Sequence, residues 1–126
     1  MSDIADLGRQ RYLSLATFRR SGTVVATPVW FAAVGDRLYV VSSGDAGKVK
    51  RLRNSARARV APCDARGRVS GAWREATARV VDAATMAPAR AALVKKYGWQ
   101  VRLLDLFSRL TGRIHRRAWI EIALRP

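Results

Sequence analysis

The sequence is short of the residues that build disulfides and multi-histidine sites. Cys63 is the single cysteine and His115 the single histidine among 126 residues, which excludes an internal disulfide and a metal site made of several histidines. No run of about eighteen apolar residues occurs, so a membrane-spanning helix is excluded. No cationic start followed by an apolar run marks a secretory signal, and we therefore expect a soluble, cytoplasmic protein.

Acidic residues are also scarce. The chain carries 24 Lys and Arg against 9 Asp and Glu, a formal net charge of +15, which favours an anionic partner such as a nucleic acid, a membrane surface or an acidic small molecule. The stretch GKVKRLRNSARARVAPCD holds six cationic side chains before its single acid, Asp64. That stretch is either a solvated face, a phosphate site or a nucleic-acid surface.

Hydrophobic patterning predicts one mainly β domain over residues 1–126, with flanking helices. Pro28 removes a hydrogen-bond donor from its predicted strand, so that strand should be bulged or at an edge there. Six strands with short antiparallel connections indicate a closed or nearly closed barrel. The predicted order is a helix over 2–11, strands over 12–18, 24–34 and 37–43, a helix over 46–54, strands over 57–63 and 73–82, helices over 85–98 and 99–113, and a strand over 116–126.

The helical segment 99–113 has its own pattern. Val101, Leu104, Phe107 and either Leu110 or Thr111 are predicted to share one side that covers the barrel. Asp105 is expected to interrupt the opposite, polar side, which argues against binding to a membrane surface. The segment is interpreted as a lid over a substrate pocket, as a plug for the barrel or as support for a dimer.

A phosphate site is one interpretation of the short helix over 46–54. Lys48 lies in its first turn, where the helix dipole disfavours a cation. A bound phosphate would reverse that effect, with Ser42, Ser43 and Gly44 as further donors on the approach. Arg51, three residues on, can reach the same anion. An ordinary surface lysine is the alternative that the spacing leaves open.

Other functional classes find less support in the sequence. No aromatic residue lies among the six cations, and no zinc spacing, helix-turn-helix or RRM pattern accompanies them, which disfavours nucleic-acid binding. No Walker or GxGxxG sequence occurs, and SGDAGK is too short for the former. Cys63 and His115 merely coexist, and Cys63 is interpreted as a small buried apolar residue. Any enzymatic chemistry would thus come from a bound cofactor.

Three segments in order, LATFRRSGTVVATPVWFAAVGDRLYVVSS, GKVKRLR and ARVAPCDARGR, resemble the PPOX-class F420-dependent oxidoreductases. These proteins are relatives of pyridoxamine phosphate oxidase and of the FMN-binding split β-barrel proteins. The resemblance covers roughly residues 7–126 and implies a six-stranded antiparallel split β-barrel that forms a homodimer, with two cofactor sites in grooves between the subunits.

The resemblance also implies which residues bind the cofactor. The ring would lie against the strand Thr27–Trp30, the phosphate would meet Lys48 with help from Arg51, and Trp73 with the final strand would close the site from the second subunit. The complete implied set comprises Thr27, Pro28, Val29, Trp30, Ser42, Ser43, Lys48, Arg51, Pro62, Cys63 and Trp73.

The implied cofactor is F420, with FMN as the alternative. F420 carries a phosphodiester, a carboxylate and an oligoglutamate tail, which gives the positive charge of the chain a purpose. The implied reaction is hydride transfer between the deazaflavin C5 and an unsaturated organic substrate. A non-catalytic F420 carrier is a further alternative. Solvent, Tyr12, Tyr39 and His115 are the candidate proton donors, and no catalytic residue is assigned.

Overall fold

The computed structural model describes residues 3–44, 46–110 and 117–125. Within them the elements follow the predicted order, apart from one additional strand. The helices are α1 (Asp3–Gly8), α2 (Gly47–Asn54), α3 (Ala87–Tyr97) and α4 (Trp99–Leu110), with a short 3-10 turn at Ala83–Thr85. The strands are β1 (Tyr12–Phe18), β2 (Val24–Val29), β3 (Phe31–Val34), β4 (Arg37–Ser43), β5 (Arg57–Cys63), β6 (Arg74–Val81) and β7 (Arg117–Leu124).

The seven strands form one antiparallel sheet in the order β2-β1-β5-β6-β7-β4-β3. Its two edge strands, β2 and β3, follow each other in the chain and are separated only by Trp30, so the sheet curls into a half-barrel. The prediction of six strands is wrong because the predicted strand 24–34 divides there: Val29 pairs with Leu13 of β1, whereas Phe31 pairs with Val40 of β4. The edge position expected for the strand of Pro28 is confirmed.

The concave side of the sheet holds the main core. Leu13, Leu15, Val60, Ile120 and Ile122 are fully buried there, and each stabilises the fold by about 1.5–3 kcal/mol through the apolar area that it removes from water. Helix α2 contributes two further members of this core, Val49 and Leu52. Its polar side is thereby fixed relative to the strand ends.

A second core lies on the other side of β3, β4 and β7. Ala89, Leu93 and Tyr97 of α3 pack there with Ala32 and Trp119. Pro88 lies in the first turn of α3 and Gly98 follows its last residue with a φ of 62°, as the sequence predicted, because proline fits a helix start and glycine a helix end. None of the described helices is long and apolar enough to cross a lipid bilayer.

Helix α4 packs differently from its prediction. Its buried residues are Val101 and Asp105, whereas Leu104, Phe107 and Leu110 are exposed; Thr111 lies outside the described residues. The carboxylate of Asp105 accepts from Arg90 Nη2 and from Arg117 Nη1, at 2.5 Å each. Because two guanidinium groups neutralise this acid, it can face inward and the apolar side of the helix faces outward.

Candidate functional site

The first turn of α2 concentrates positive charge. Ala46 precedes the helix without a side-chain cap, and the turn contains no acidic residue. Lys48 is the second residue of the helix, so its ammonium adds to the positive end of the helix dipole. The turn that leads into the helix begins at the end of β4, where the Ser43 carbonyl accepts from the Ala46 N–H at 3.1 Å. Ser42 and Ser43 therefore adjoin this helix start, as predicted.

The side chain of Arg51 folds back over the same turn. Its Nε donates to the buried hydroxyl of Thr17, at 2.6 Å, and its Nη1 lies 2.6 Å from the point where a Cβ on Gly47 would stand. Any larger residue at position 47 would displace the guanidinium. Gly47 and Thr17 thus hold Arg51 at the helix start, near enough to Lys48 for its charge to act on that ammonium.

The cations of this cluster, Lys48, Arg51 and Arg19, repel one another. Burial lowers the pKa of Lys48, and the neighbouring charge of Arg51 lowers it further. Burial, followed by the charge of Arg19, lowers the pKa of Arg51. A cluster in which each cation disfavours the others gains stability when an anion binds. This arrangement favours a phosphate site over an ordinary surface lysine.

Thr27 lies on the same face of the sheet as Thr17, and its hydroxyl has an unsatisfied hydrogen-bonding capacity. It lies opposite Leu15, two positions from the pair formed by Thr17 and Val25, which places Thr27 roughly 7 Å along the strand from the Thr17 row. Its Oγ1 is buried and has no hydrogen-bond partner among the described residues. Such an orphaned group costs about 1–3 kcal/mol, a cost that a ligand with a polar edge would remove. The residues present therefore fit a polar, phosphate-bearing cofactor.

The loop after β5 covers Pro28 and Pro62, two residues of the predicted cofactor site. Asp64 accepts the N–H groups of Arg66 and Arg68 at 2.9 Å each and so shapes this loop. Gly67 lies over Pro28, and Gly71 lies so close to Pro62 that a Cβ there would stand 2.6 Å from the proline Cγ. This packing brings residues of β2 and β5 under one loop on either side of β1.

Cys63 at the end of β5 is buried, as the sequence predicted. Burial raises the pKa of its thiol, and the charge of Asp64 raises it further. A thiol held protonated in this way is a poor nucleophile. His115, its hypothetical partner, lies outside the described residues.

Trp73 lines a cleft of about 330 Å³ on the outer side of the sheet. The other lining residues are Ala16, Val24, Arg59 and Glu75, of which Arg59 and Glu75 form an ion pair. Ala16 neighbours Thr17, the partner of Arg51. Successive side chains of a strand point to opposite faces, so this cleft and the cationic cluster lie at the same end of β1 but on opposite faces of the sheet.

Trp30 lies apart from that cluster, beyond the opposite end of β2. Its ring stacks on Tyr97, with centroids 4.7 Å apart and planes 8° from parallel. Together with α4 it borders an apolar cleft of about 420 Å³. The predicted residues thus fall into separate places in a single chain: Trp30 borders this apolar cleft, Trp73 lines the cleft on the outer side of the sheet, and Lys48 and Arg51 lie at the start of α2.

Several residues of the cationic cluster and of the surroundings of Trp30 were not predicted from the sequence. Thr17 and Arg19 join the cationic cluster, and Tyr97 supports Trp30, its hydroxyl donating to the Arg11 carbonyl at 2.8 Å. Lys96 donates to the Phe31 carbonyl at 3.1 Å. No local pattern predicts these hydrogen bonds, because the bonded partners lie 34 to 86 residues apart.

The burial of the Lys96 ammonium should make the free energy of unfolding depend on pH. Its Nζ lies 3.5 Å from the centroid of the Phe31 ring, and burial with the charge of Arg11 lowers its pKa from 10.5 to about 8. Between these pH values the folded chain binds fewer protons at Lys96 than the unfolded chain, so this group's contribution to stability improves as the pH rises. Below pH 8 the full penalty of burying the charge applies.

We therefore expect the stability of the wild type relative to Lys96→Met to increase from pH 8 to about 10.5, and to be constant below that range. Urea midpoints across this range measure the difference, and Lys50→Met, at an exposed position of α2, is the matched control. A difference that stays flat from pH 8 upward would contradict the perturbed titration of Lys96.

Comparisons with solved structures show the fold. A conserved hypothetical protein of Mycobacterium tuberculosis is 17% identical, with a TM-score of 0.73, and the match covers 100% of this chain and 82% of that one. The heme storage protein HutZ of Vibrio cholerae is 14% identical, with a TM-score of 0.73 and coverages of 100% and 92%. A structure described as an F420 reductase is 16% identical, with a TM-score of 0.64 and coverages of 100% and 96%.

The sequence comparisons are more specific. A search of curated proteins found no match. The family model for pyridoxamine 5'-phosphate oxidase matches residues 4–125, a range that includes both clefts and the cationic helix start. The chain therefore belongs to the pyridoxamine 5'-phosphate oxidase family.

Proposed function

We propose that this protein is an F420-dependent oxidoreductase that transfers a hydride between reduced F420 and an unsaturated organic substrate. The observation that carries the proposal is the cationic first turn of α2, where Lys48 and Arg51 lie together without an acid in the turn. A phosphate is the ligand that relieves the repulsion between these cations and uses the free N–H groups of the helix start. One protein of the same fold is described as an F420 reductase, which agrees with this assignment.

The choice of F420 over FMN rests on charge. One phosphate needs few cations, whereas this chain carries a net charge of +15. The carboxylates of an F420 tail offer further anionic groups that such a surface attracts over long range. FMN shares the phosphate and the ring, so an FMN-binding protein is the second candidate function.

The residues of the chain have distinct tasks in this proposal. Reduced F420, when bound, would supply a hydride from C5 of its deazaflavin ring and would leave as the oxidised cofactor. Lys48 and Arg51 hold the phosphate, and the Thr27 hydroxyl gains a polar partner along β2. Trp30 and its stacked partner Tyr97 exclude water from the strand end, which favours an oriented approach of an apolar substrate.

We further propose that two copies of the chain form the complete site. The cleft at Trp73 is open in a single chain, and this tryptophan is 42% exposed. Aromatic side chains with large exposed areas are common in subunit contacts. A second copy over this face would close the cleft at Trp73 and so complete the site.

Titration of the purified protein with F420 and with FMN tests the proposal. We expect saturable F420 binding that is at least tenfold tighter than FMN binding, followed by reoxidation of the reduced form when an unsaturated organic substrate is added. Micromolar FMN binding without F420 binding would contradict the cofactor assignment. Tight F420 binding without reoxidation by a panel of unsaturated compounds would instead indicate a cofactor carrier.

A further inference from the structure

Helix α4 turns an apolar face to solvent. The side chains of Trp99, Leu103, Leu106 and Leu110 are 71%, 53%, 55% and 77% exposed. At 100° per residue these four positions fall within an arc of about 60° on the helix. Val101 and Asp105, which attach the helix to the body, lie on the opposite side. A single helix with four such exposed side chains forms an apolar patch of the kind that marks an interaction site.

The charged residues described on the two flanks of this face are arginines. Arg102 and Arg109 are exposed along one flank of the helix, and Arg11 lies at the other, where its guanidinium donates to Gln100 at 3.2 Å. The one acid of the helix, Asp105, faces inward and is paired with two arginines. The exposed surface of α4 is therefore apolar with a cationic rim.

A small molecule would cover only part of this face. The cleft between Trp30 and α4 is lined by Trp99, Gln100, Leu103, Leu104 and Phe107. Leu106 and Leu110 lie outside that lining, although more than half of each side chain is exposed. The occupant must therefore be broader than the cleft.

We infer that α4 binds the surface of an anionic lipid bilayer, with Trp99, Leu103, Leu106 and Leu110 inserted at the boundary between headgroups and acyl chains. A helix with Trp and Leu on one face and arginines at its sides has the composition of an interfacial helix. The net charge of +15 complements anionic lipid headgroups. A second copy that met this face with its own α4 would instead bring the exposed arginines beside the two helices together.

This inference revises the expectation that the protein has no membrane partner. That expectation rested on two points, that Asp105 interrupts the polar side of the helix and that the apolar side covers the barrel. The structure places this carboxylate inside, 2.5 Å from Arg90 and 2.5 Å from Arg117. The twelve residues of α4 span about 18 Å, which suits a helix lying in the plane of the membrane surface.

Co-sedimentation of the full chain with lipid vesicles tests the inference. We expect the protein to pellet with vesicles of phosphatidylcholine and phosphatidylglycerol, and at least tenfold less with phosphatidylcholine alone. Leu103→Gln/Leu106→Gln should lower the partition coefficient at least tenfold at unchanged net charge, because it removes two inserted side chains. Arg102→Gln/Arg109→Gln should lower binding to the anionic vesicles alone. Ala87→Gln/Ala91→Gln, at exposed positions of α3, is the matched control and should pellet as the wild type does.

Three results would overturn the inference. The first is equal pelleting of the wild type and the leucine variant, which would reduce the interaction to nonspecific charge. The second is absence of binding to either vesicle. The third is a lipid-free leucine variant that sediments as a monomer where the wild type is a dimer, which would make α4 a subunit interface. Far-ultraviolet circular dichroism and thermal midpoints of each variant establish that it is folded.

Discussion

Replacing Asp105 with alanine is expected to lower the free energy of unfolding by roughly 3 kcal/mol. The Asp105 side chain is only 8% exposed and neutralises Arg90 and Arg117. Arg117 is itself largely buried, so the variant would leave a guanidinium near the protein interior without its carboxylate. Removing one partner of a buried ion pair is costly for this reason, even where the intact pair adds little net stability.

Urea unfolding of the variant measures this effect. Asp36→Ala is the matched control, because Asp36 also pairs with an arginine but is 86% exposed, and it should change stability by less than about 0.5 kcal/mol. Asp105→Asn keeps the shape but not the charge and should resemble the alanine variant. If Asp105→Ala proves as stable as the control, the ion pairs do not determine how α4 is oriented.

The strands of this fold were predictable from local sequence, and the orientation of α4 was not. Alternation of apolar and polar residues marks a strand within a few positions, and β1, β4 and β5 agree with their predicted bounds. The side of α4 that faces inward depends on Arg90 and Arg117, which are 15 and 12 residues from Asp105. Hydrophobic periodicity alone buries the apolar side, and it fails where distant arginines neutralise a buried acid.

The division of the predicted strand 24–34 has a similar explanation. The residues from Val24 to Val34, apart from Pro28, suit a strand. The break at Trp30 arises because the chain pairs with β1 before this residue and with β4 after it. Which strand pairs with which is a property of the whole sheet. Local propensity identifies strands but does not identify their partners.

Two residues of the cationic cluster, Lys48 and Arg51, were predicted from the sequence. Lys48 and Arg51 are three residues apart in a helix, and that spacing alone places them on one side. Thr17 is 34 residues from Arg51, and the orphaned hydroxyl of Thr27 depends on the packing of β2 against β1. The phosphate interpretation therefore came from the sequence, and the features that support a complete cofactor site came from the structure.

Replacing Lys48 with alanine is expected to weaken F420 binding by roughly 1.5–3 kcal/mol, the range for a hydrogen bond to a charged group. This corresponds to an increase in Kd of about 10- to 150-fold. Isothermal titration or fluorescence titration with F420 measures the change. Lys50→Ala removes an exposed cation from the same helix and is the matched control, since it tests whether net charge alone accounts for the loss.

The pH dependence of binding separates a direct contact from a general charge effect. Burial and the charge of Arg51 lower the pKa of Lys48, so its ammonium is lost at a lower pH than that of an ordinary lysine. Arg51 keeps its charge over the accessible range. Affinity of the wild type should thus fall as the pH rises through the lowered pKa of Lys48, and the fall should be absent in Lys48→Ala. Equal affinities of Lys48→Ala and Lys50→Ala at every pH would remove Lys48 from the site, because a phosphate held by this ammonium cannot be indifferent to its charge.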